Sequence, residues 1–226
     1  MATKVQAEGL KVKEGRIELS AQHLDGEVTF IYPFAGPNTF AKVGEQINSQ
    51  NLIRPTMAQT ASLVYSAWQN PEEKYSAEII KVLKSRWLWA FNGLLYTSKG
   101  VYIQDLPKTE NGRVSLSLSE LEKKLKQGDP SVRFVPNGYK TGEQSSSDLA
   151  KNPFVIDLAG KEGAEKLAEV SDKYKNKPYV YALTNVKGQE SRVAALGGSW
   201  GFGGLDVVGG FGDFGSGHAL GVSRSK

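Results

Sequence analysis

Apolar residues recur along this chain with two periods. Met57, Ala61, Val64 and Trp68 are spaced as on one face of a helix, and Thr56 with Gln59 forms a capping box in front of them. A second helix is predicted after Asn70, with Pro71 at its first position and Tyr75, Ile79, Val82 and Leu83 on its apolar side. A short third helix opens at Ser117-Leu-Ser-Glu120, carries Leu118, Leu121 and Leu125 on one face, and stops before Gly128. A fourth spans Lys161 to Lys175, with Ala164, Leu167, Ala168 and Ser171 inward. These stripes are read as core packing.

Between the helices the pattern alternates. Arg16 to Ser20 and Glu27 to Tyr32 form strands around the turn Asp25-Gly26. Arg86 to Thr97 is the strongest strand, with Trp87, Trp89, Phe91, Leu95 and Tyr96, broken by a bulge or turn at Asn92-Gly93. Ser98-Lys-Gly100 turns it into Val101 to Ile103. Further strands are predicted at Val132 to Val135, Phe154 to Ile156, Tyr179 to Thr184, Arg192 to Leu196 and Ala219 to Val222. Phe34 to Asn38 is expected as a turn-rich loop, and Asn137 to Asn152 as a long surface loop. Residues 1–15 are polar and expected to be flexible, and 16–226 form a single α+β domain with neither repeats nor a clean linker.

The tail changes this picture. Eleven of the 25 glycines lie between Gly197 and Gly221. Composition alone suggests a flexible linker, but Trp200, Phe202, Phe211 and Phe214 are costly to leave in water. An ordered surface with a Gly-loosened backbone and displayed side chains is expected. The net charge of +4 lies in the middle of the chain, at Lys123-Lys124-Lys126 and from Lys161 to Lys177, while the tail is neutral. A nucleic-acid partner is therefore not expected. The absence of cysteine excludes disulfides and thiolate chemistry. No signal peptide and no run of 18 apolar residues is present, so membrane insertion is not expected, and the site of residence is left open.

Catalytic motifs are weak. Gly210-Phe-Gly212-Asp-Phe-Gly215 matches a dinucleotide fingerprint in letters only, because no helix and no distal acid follow it. His23 and His218 are the only histidines, and no nucleophile elbow accompanies them. Asp206 and Asp213 are too few for a calcium site. No enzyme, cofactor or metal is expected.

Arg192-Val193, Leu196-Gly-Gly-Ser-Trp200, the varied stretch after it and the final Ala219-Leu-Gly-Val222 resemble the C-terminal segment of C-type lectin-fold proteins of the formylglycine-generating type. They resemble the variable proteins of diversity-generating retroelements more closely. Leu196 stands where the bacterial members have arginine, and 107–153 has the look of an insertion; both suggest an archaeal or archaeal-virus branch. The resemblance implies a C-type lectin-like fold with two helices in the N-terminal half, a twisted, mostly antiparallel sheet, and a variable region at 196–226. In such systems template adenines are randomised. Trp, Lys, Glu, Gln and Met are not reachable from Asn-type codons in this way, and from Gly201 to Ser223 none of the five appears; Asn is absent too, as if such codons had been replaced. Trp200, Leu220 and Val222 would be buried. Ser199, Gly201, Phe202, Gly204, Leu205, Asp206, Gly210, Phe211, Asp213, Phe214 and His218 would face an unknown protein or cell-surface ligand. The alternative is a structural or virion-assembly protein using the same Gly-rich interface. A formylglycine-type oxidase is disfavoured by the lack of cysteine.

Overall fold

The computed structural model describes residues 11–13, 17–198 and 203–224. Three strands open the chain: β1 (Lys11–Lys13), β2 (Glu18–His23) and β3 (Gly26–Asn38). Three helices follow, α1 (Phe40–Ser49), α2 (Met57–Gln69) and α3 (Lys74–Ser85). Then come β4 (Trp87–Thr97), β5 (Gly100–Asp105), β6 (Lys108–Glu110), β7 (Arg113–Ser115), α4 (Leu118–Lys126), β8 (Val132–Pro136), β9 (Gly142–Glu143), α5 (Ser146–Lys151) and α6 (Pro153–Ser171). The chain ends in β10 (Tyr179–Tyr181), β11 (Glu190–Gly197), β12 (Asp206–Gly210) and β13 (Gly217–Val222). The fold is α+β, around one twisted sheet in the order β1-β2-β3-β13-β4-β11-β12-β10-β9, which β5 and β8 extend from β4. Among the described residues only β4–β13 and β10–β12 pair in parallel.

Every residue of β4 is buried, and its alternation feeds two large cores, with Leu95 in a smaller third one beside Tyr102 and Leu121. Leu88, Ala90, Leu94 and Tyr96 face α2, α3 and α6, whereas Trp87, Trp89 and Phe91 face α1 through Phe40, Val43 and Ile47. The expected interruption at Asn92-Gly93 is present. The pairing of β11 with β4 jumps from Val193↔Gly93 to Ala194↔Ala90. At this bulge β4 changes its neighbour, with β13 paired to its first half and β5 to its second. Asn92 is buried there. Its Oδ1 accepts from Met57 N–H at 2.7 Å, capping the start of α2, and its Nδ2 donates to Asp105 Oδ1 at 2.6 Å. Arg133 closes the network with a two-pronged pair to Asp105 at 2.6 and 2.9 Å and donates to the Asp157 carbonyl.

Several local expectations are corrected. The N-terminal half holds three helices, not two: Thr39 caps α1, and Phe40, Val43 and Ile47 form its buried stripe. Helix α3 starts at Lys74 rather than Pro71, because the Glu73 carboxylate accepts from the Tyr75 and Ser76 N–H groups. Phe154 to Ile156 is helical, not a strand. Asn152 accepts from Phe154 N–H and Pro153 occupies the first turn, a start signal written in the sequence. Phe34 to Asn38 continues β3, with Pro33 and Pro37 falling in the bulges of its pairing with β13. The stretch 137–152 is not all surface loop, since Tyr139 and Leu149 are buried and Tyr139 stacks on Phe154. Lys11–Lys13 pairs with β2; the rest of the expected flexible segment lies outside the described residues.

Replacing Asn92 with Ala leaves the Met57 N–H unpaired and removes a donor from Asp105. We expect a loss of about 3 kcal/mol, measured by urea unfolding, since each buried orphan costs about 1–3 kcal/mol.

Candidate functional site

The last three strands bring the tail into the centre of the sheet. Trp87 has a glycine directly across each edge, Gly197 on β11 and Gly217 on β13. A Cβ at Gly197 would lie 2.5 Å from the Trp87 ring, and one at Gly217 would overlap the Trp89 indole. On the other face a Cβ at Gly198 would come within 2.9 Å of Tyr174. These glycines admit large rings at close approach. The Gly-Gly pair is therefore packing chemistry in the framework, not a loosened backbone.

The space beside the indoles is a cavity of about 310 Å³, floored by Trp87, Trp89, Tyr181, Ala195 and Val208, walled by Ala182 and Leu183, with Phe214 at its mouth. Trp89 Nε1 is engaged, donating to the Asn38 carbonyl at 3.0 Å. Arg192 and Phe211 form one rim: the guanidinium lies 3.9 Å from the ring centroid and pairs with Glu190 at 2.8 Å. Beyond that stacked pair is a second cavity of about 300 Å³, bordered by Arg113, Ser191, Asp213 and Phe40.

The predicted contact residues divide into groups. Phe211, Asp213 and Phe214 are exposed on the turn between β12 and β13, with Phe211 at 55% and Phe214 at 41%. Gly210 and His218 are half-buried at its ends, and the His218 ring meets Phe34 edge-on. Ser199, Gly201 and Phe202, together with Trp200, lie outside the described residues. Gly204, Leu205 and Asp206, expected on the displayed surface, are buried. Leu205 is 0% and Asp206 1% exposed, because β12 inserts between β11 and β10 and turns them inward. The Asp206 carboxylate lies beside Tyr174 and Tyr181; burial first, and then its charge, raise both phenols, Tyr181 to about 12. Leu220 and Val222 are buried as expected. The floor residues Trp87, Trp89 and Tyr181 were visible in the sequence only as strand aromatics, since nothing local says that their ring faces border a cavity.

A second cluster has catalytic ingredients without access. His23 Nδ1 lies 3.0 Å from Ser62 Oγ, and Lys166 Nζ donates to that oxygen at 2.9 Å and to the Gln22 carbonyl at 2.7 Å. Glu162 completes the group as an ion pair with Lys166. Ser62 is 1% exposed. The cluster ties α2, α6 and β2 together. Among the described residues no three metal-ligating side chains converge, and no helix is long and apolar enough to cross a membrane.

No family model matches the chain, and neither a curated protein nor a solved structure is significantly similar to it.

Two predictions follow from these placements. Leu205→Ser should lower Tm by more than about 6 °C, and Phe211→Ser or Phe214→Ser by less than about 4 °C each, in differential scanning calorimetry. Both histidines are held below 6.5, chiefly by burial, with Lys166 adding to the effect at His23 and Arg86 at His218. The unfolded chain therefore binds protons first as pH falls. Their contribution is full above pH 6.5, declines below it, and levels off once the folded-state histidines protonate. Melts from pH 7.5 to 5 should show falling Tm, with a shallower slope in the His23→Gln/His218→Gln double variant.

Proposed function

We propose that this chain is a non-catalytic binding module whose β12–β13 turn is the recognition surface. The observation that carries this is the pair of exposed phenylalanines, Phe211 and Phe214, at the mouth of an apolar cavity. Aromatic anchors beside a concave, water-poor surface are what interfaces use for affinity, and a polar neighbour such as Asp213 supplies adaptable contacts. The turn joins two core strands whose inward residues are separate from its own outward ones. Side chains at Phe211, Asp213 and Phe214 are thus replaceable without repacking the core.

That separation suits a surface diversified by a retroelement, within a C-type lectin-like scaffold, against variable protein or cell-surface ligands. The composition from Gly201 to Ser223 supports the same reading, because every residue type there is reachable by randomising adenines in Asn-type codons. Leu205 and Asp206 belong to the framework under this reading. The alternative is a structural subunit that assembles through the same two phenylalanines.

The DNA flanking the gene decides between them. We expect a near-identical copy of the segment encoding Leu196 to Ser225, differing where that copy has adenine, beside a reverse-transcriptase gene. The codons for Phe211, Asp213 and Phe214 should lie opposite adenines, and those for Leu205 and Gly217 should not. A chain without such a copy, which self-associates in sedimentation velocity and loses that association in Phe211→Ser/Phe214→Ser, would be the assembly protein instead.

A further inference from the structure

We infer that the paired cavities on either side of Arg192 and Phe211 take a ligand made of one apolar aromatic ring joined by a short linker to a carboxylate. The inference rests on reading this face as a binding surface and adds the chemical class of what it binds.

The first cavity sets the ring. At about 310 Å³ it lies at the small end of ligand pockets, the size for one ring system or one large side chain. Its floor and walls are indole, phenol, phenyl and aliphatic surface, and the Trp89 N–H is already used. A sugar or other polyol would find too few partners for its hydroxyls and would lose their hydration.

The rim sets the charge. Among the described residues Arg192 is the only charged one bordering the first cavity, and it borders the second as well. Two guanidiniums, Arg113 and Arg192, and one carboxylate, Asp213, border the second cavity, and Glu190 pairs with Arg192 beside it, so an anion gains Arg192 by displacing Glu190. Arg192 is held in place by the Phe211 ring and by its bond to the Ser191 carbonyl. Its present partner, Glu190, is 46% exposed, while the Arg192 side chain itself is 13% exposed, so the pair is open to solvent on the Glu190 side. A ligand carboxylate can compete with Glu190 for the Arg192 guanidinium, which would donate to it as it now does to Glu190. The same charge repels an ammonium group, which excludes the cationic ligands that aromatic cages otherwise attract.

The chemistry has two sources, a free aromatic acid or an aromatic side chain next to an acidic one in a protein. The probes are indole-3-acetate, its amine counterpart tryptamine, and the blocked peptide acetyl-Gly-Trp-Asp-Gly-amide. Binding to the full chain is followed by calorimetry and by the indole N–H resonances of Trp87 and Trp89. Indole-3-acetate should bind with a dissociation constant on the order of 0.1–1 mM, a reasonable value for so few atoms, and should shift both resonances. Tryptamine should bind at least about 10-fold more weakly. Arg192→Gln should erase that preference, and Val208→Trp, which fills the cavity, should abolish binding of both. Peptide binding 10-fold tighter than the free acid assigns the source to a protein partner, and binding of the acid alone assigns it to a small molecule. Unshifted resonances at 5 mM acid, or tryptamine binding as well as the acid, would overturn the inference. If that happens while substitutions at Phe211 and Phe214 still alter binding of a macromolecular partner, the display surface stands and only the aromatic acid falls.

Discussion

Asn92 is the joint on which the molecule turns. A strand buried on both faces has no water to satisfy a break in its ladder, so every polar group at the β4 bulge must find a protein partner. Asn92 spends both ends of its amide there, one on the first N–H of α2 and the other on Asp105. That arrangement allows β4 to exchange β13 for β5 as its neighbour. It also fixes α2 against one face and, through Arg133, anchors β8 and α6 to the same point. Because β13 is released from the second half of β4, it runs beside Trp87 and Trp89, and the turn that precedes it hangs over their rings.

The glycines of the tail do two different jobs, which composition does not separate. Gly197 and Gly217 stand where side chains would strike the two indoles, and Gly198 where one would strike Tyr174. They are fixed by close approach in the core. Gly215, in the exposed turn, has open space where its side chain would be. Among the described residues, a stretch that looks uniformly loosened thus combines closely packed glycines with a short exposed turn between Gly210 and Gly217, itself tied to α1 by the Phe40 N–H bond to the Gly212 carbonyl. The close approaches account for Gly197, Gly198 and Gly217, and the turn holds the side chains that solvent sees.

Much of the fold is legible in the residues because it rests on local chemistry. The capping box of Thr56 and Gln59, the aromatic run of β4 and the closing strand at Ala219 to Val222 each declare themselves within a dozen residues. Helix α1 and the start of α6 also carried their signals, in the stripe Phe40, Val43, Ile47 and in Asn152-Pro153, but short apolar runs suit strands as well as helices. The candidate site was less legible. Phe211, Asp213 and Phe214 are exposed, as the tail's composition implied, whereas Leu205 and Asp206 are buried by a strand pairing, β12 between β11 and β10, that no local pattern announces. The cavity floor is hidden for the same reason, since Trp87, Trp89, Tyr181 and Val208 meet only through long-range register.

That register gives the surface a constant part and a replaceable part. Trp87 and Trp89 are held by glycines across the strand edges and by the α1 core, so their ring faces are presented whatever the turn carries. Phe211 and Phe214 sit on the rim and make no comparable demand on the frame. Under the proposed binding reading, affinity for an apolar group would come mainly from the floor, and selectivity from the rim, where a single substitution changes shape or charge. A surface built this way would keep a basal capacity to bind while its preferences were rewritten, because the residues that would set the one are not those that would set the other.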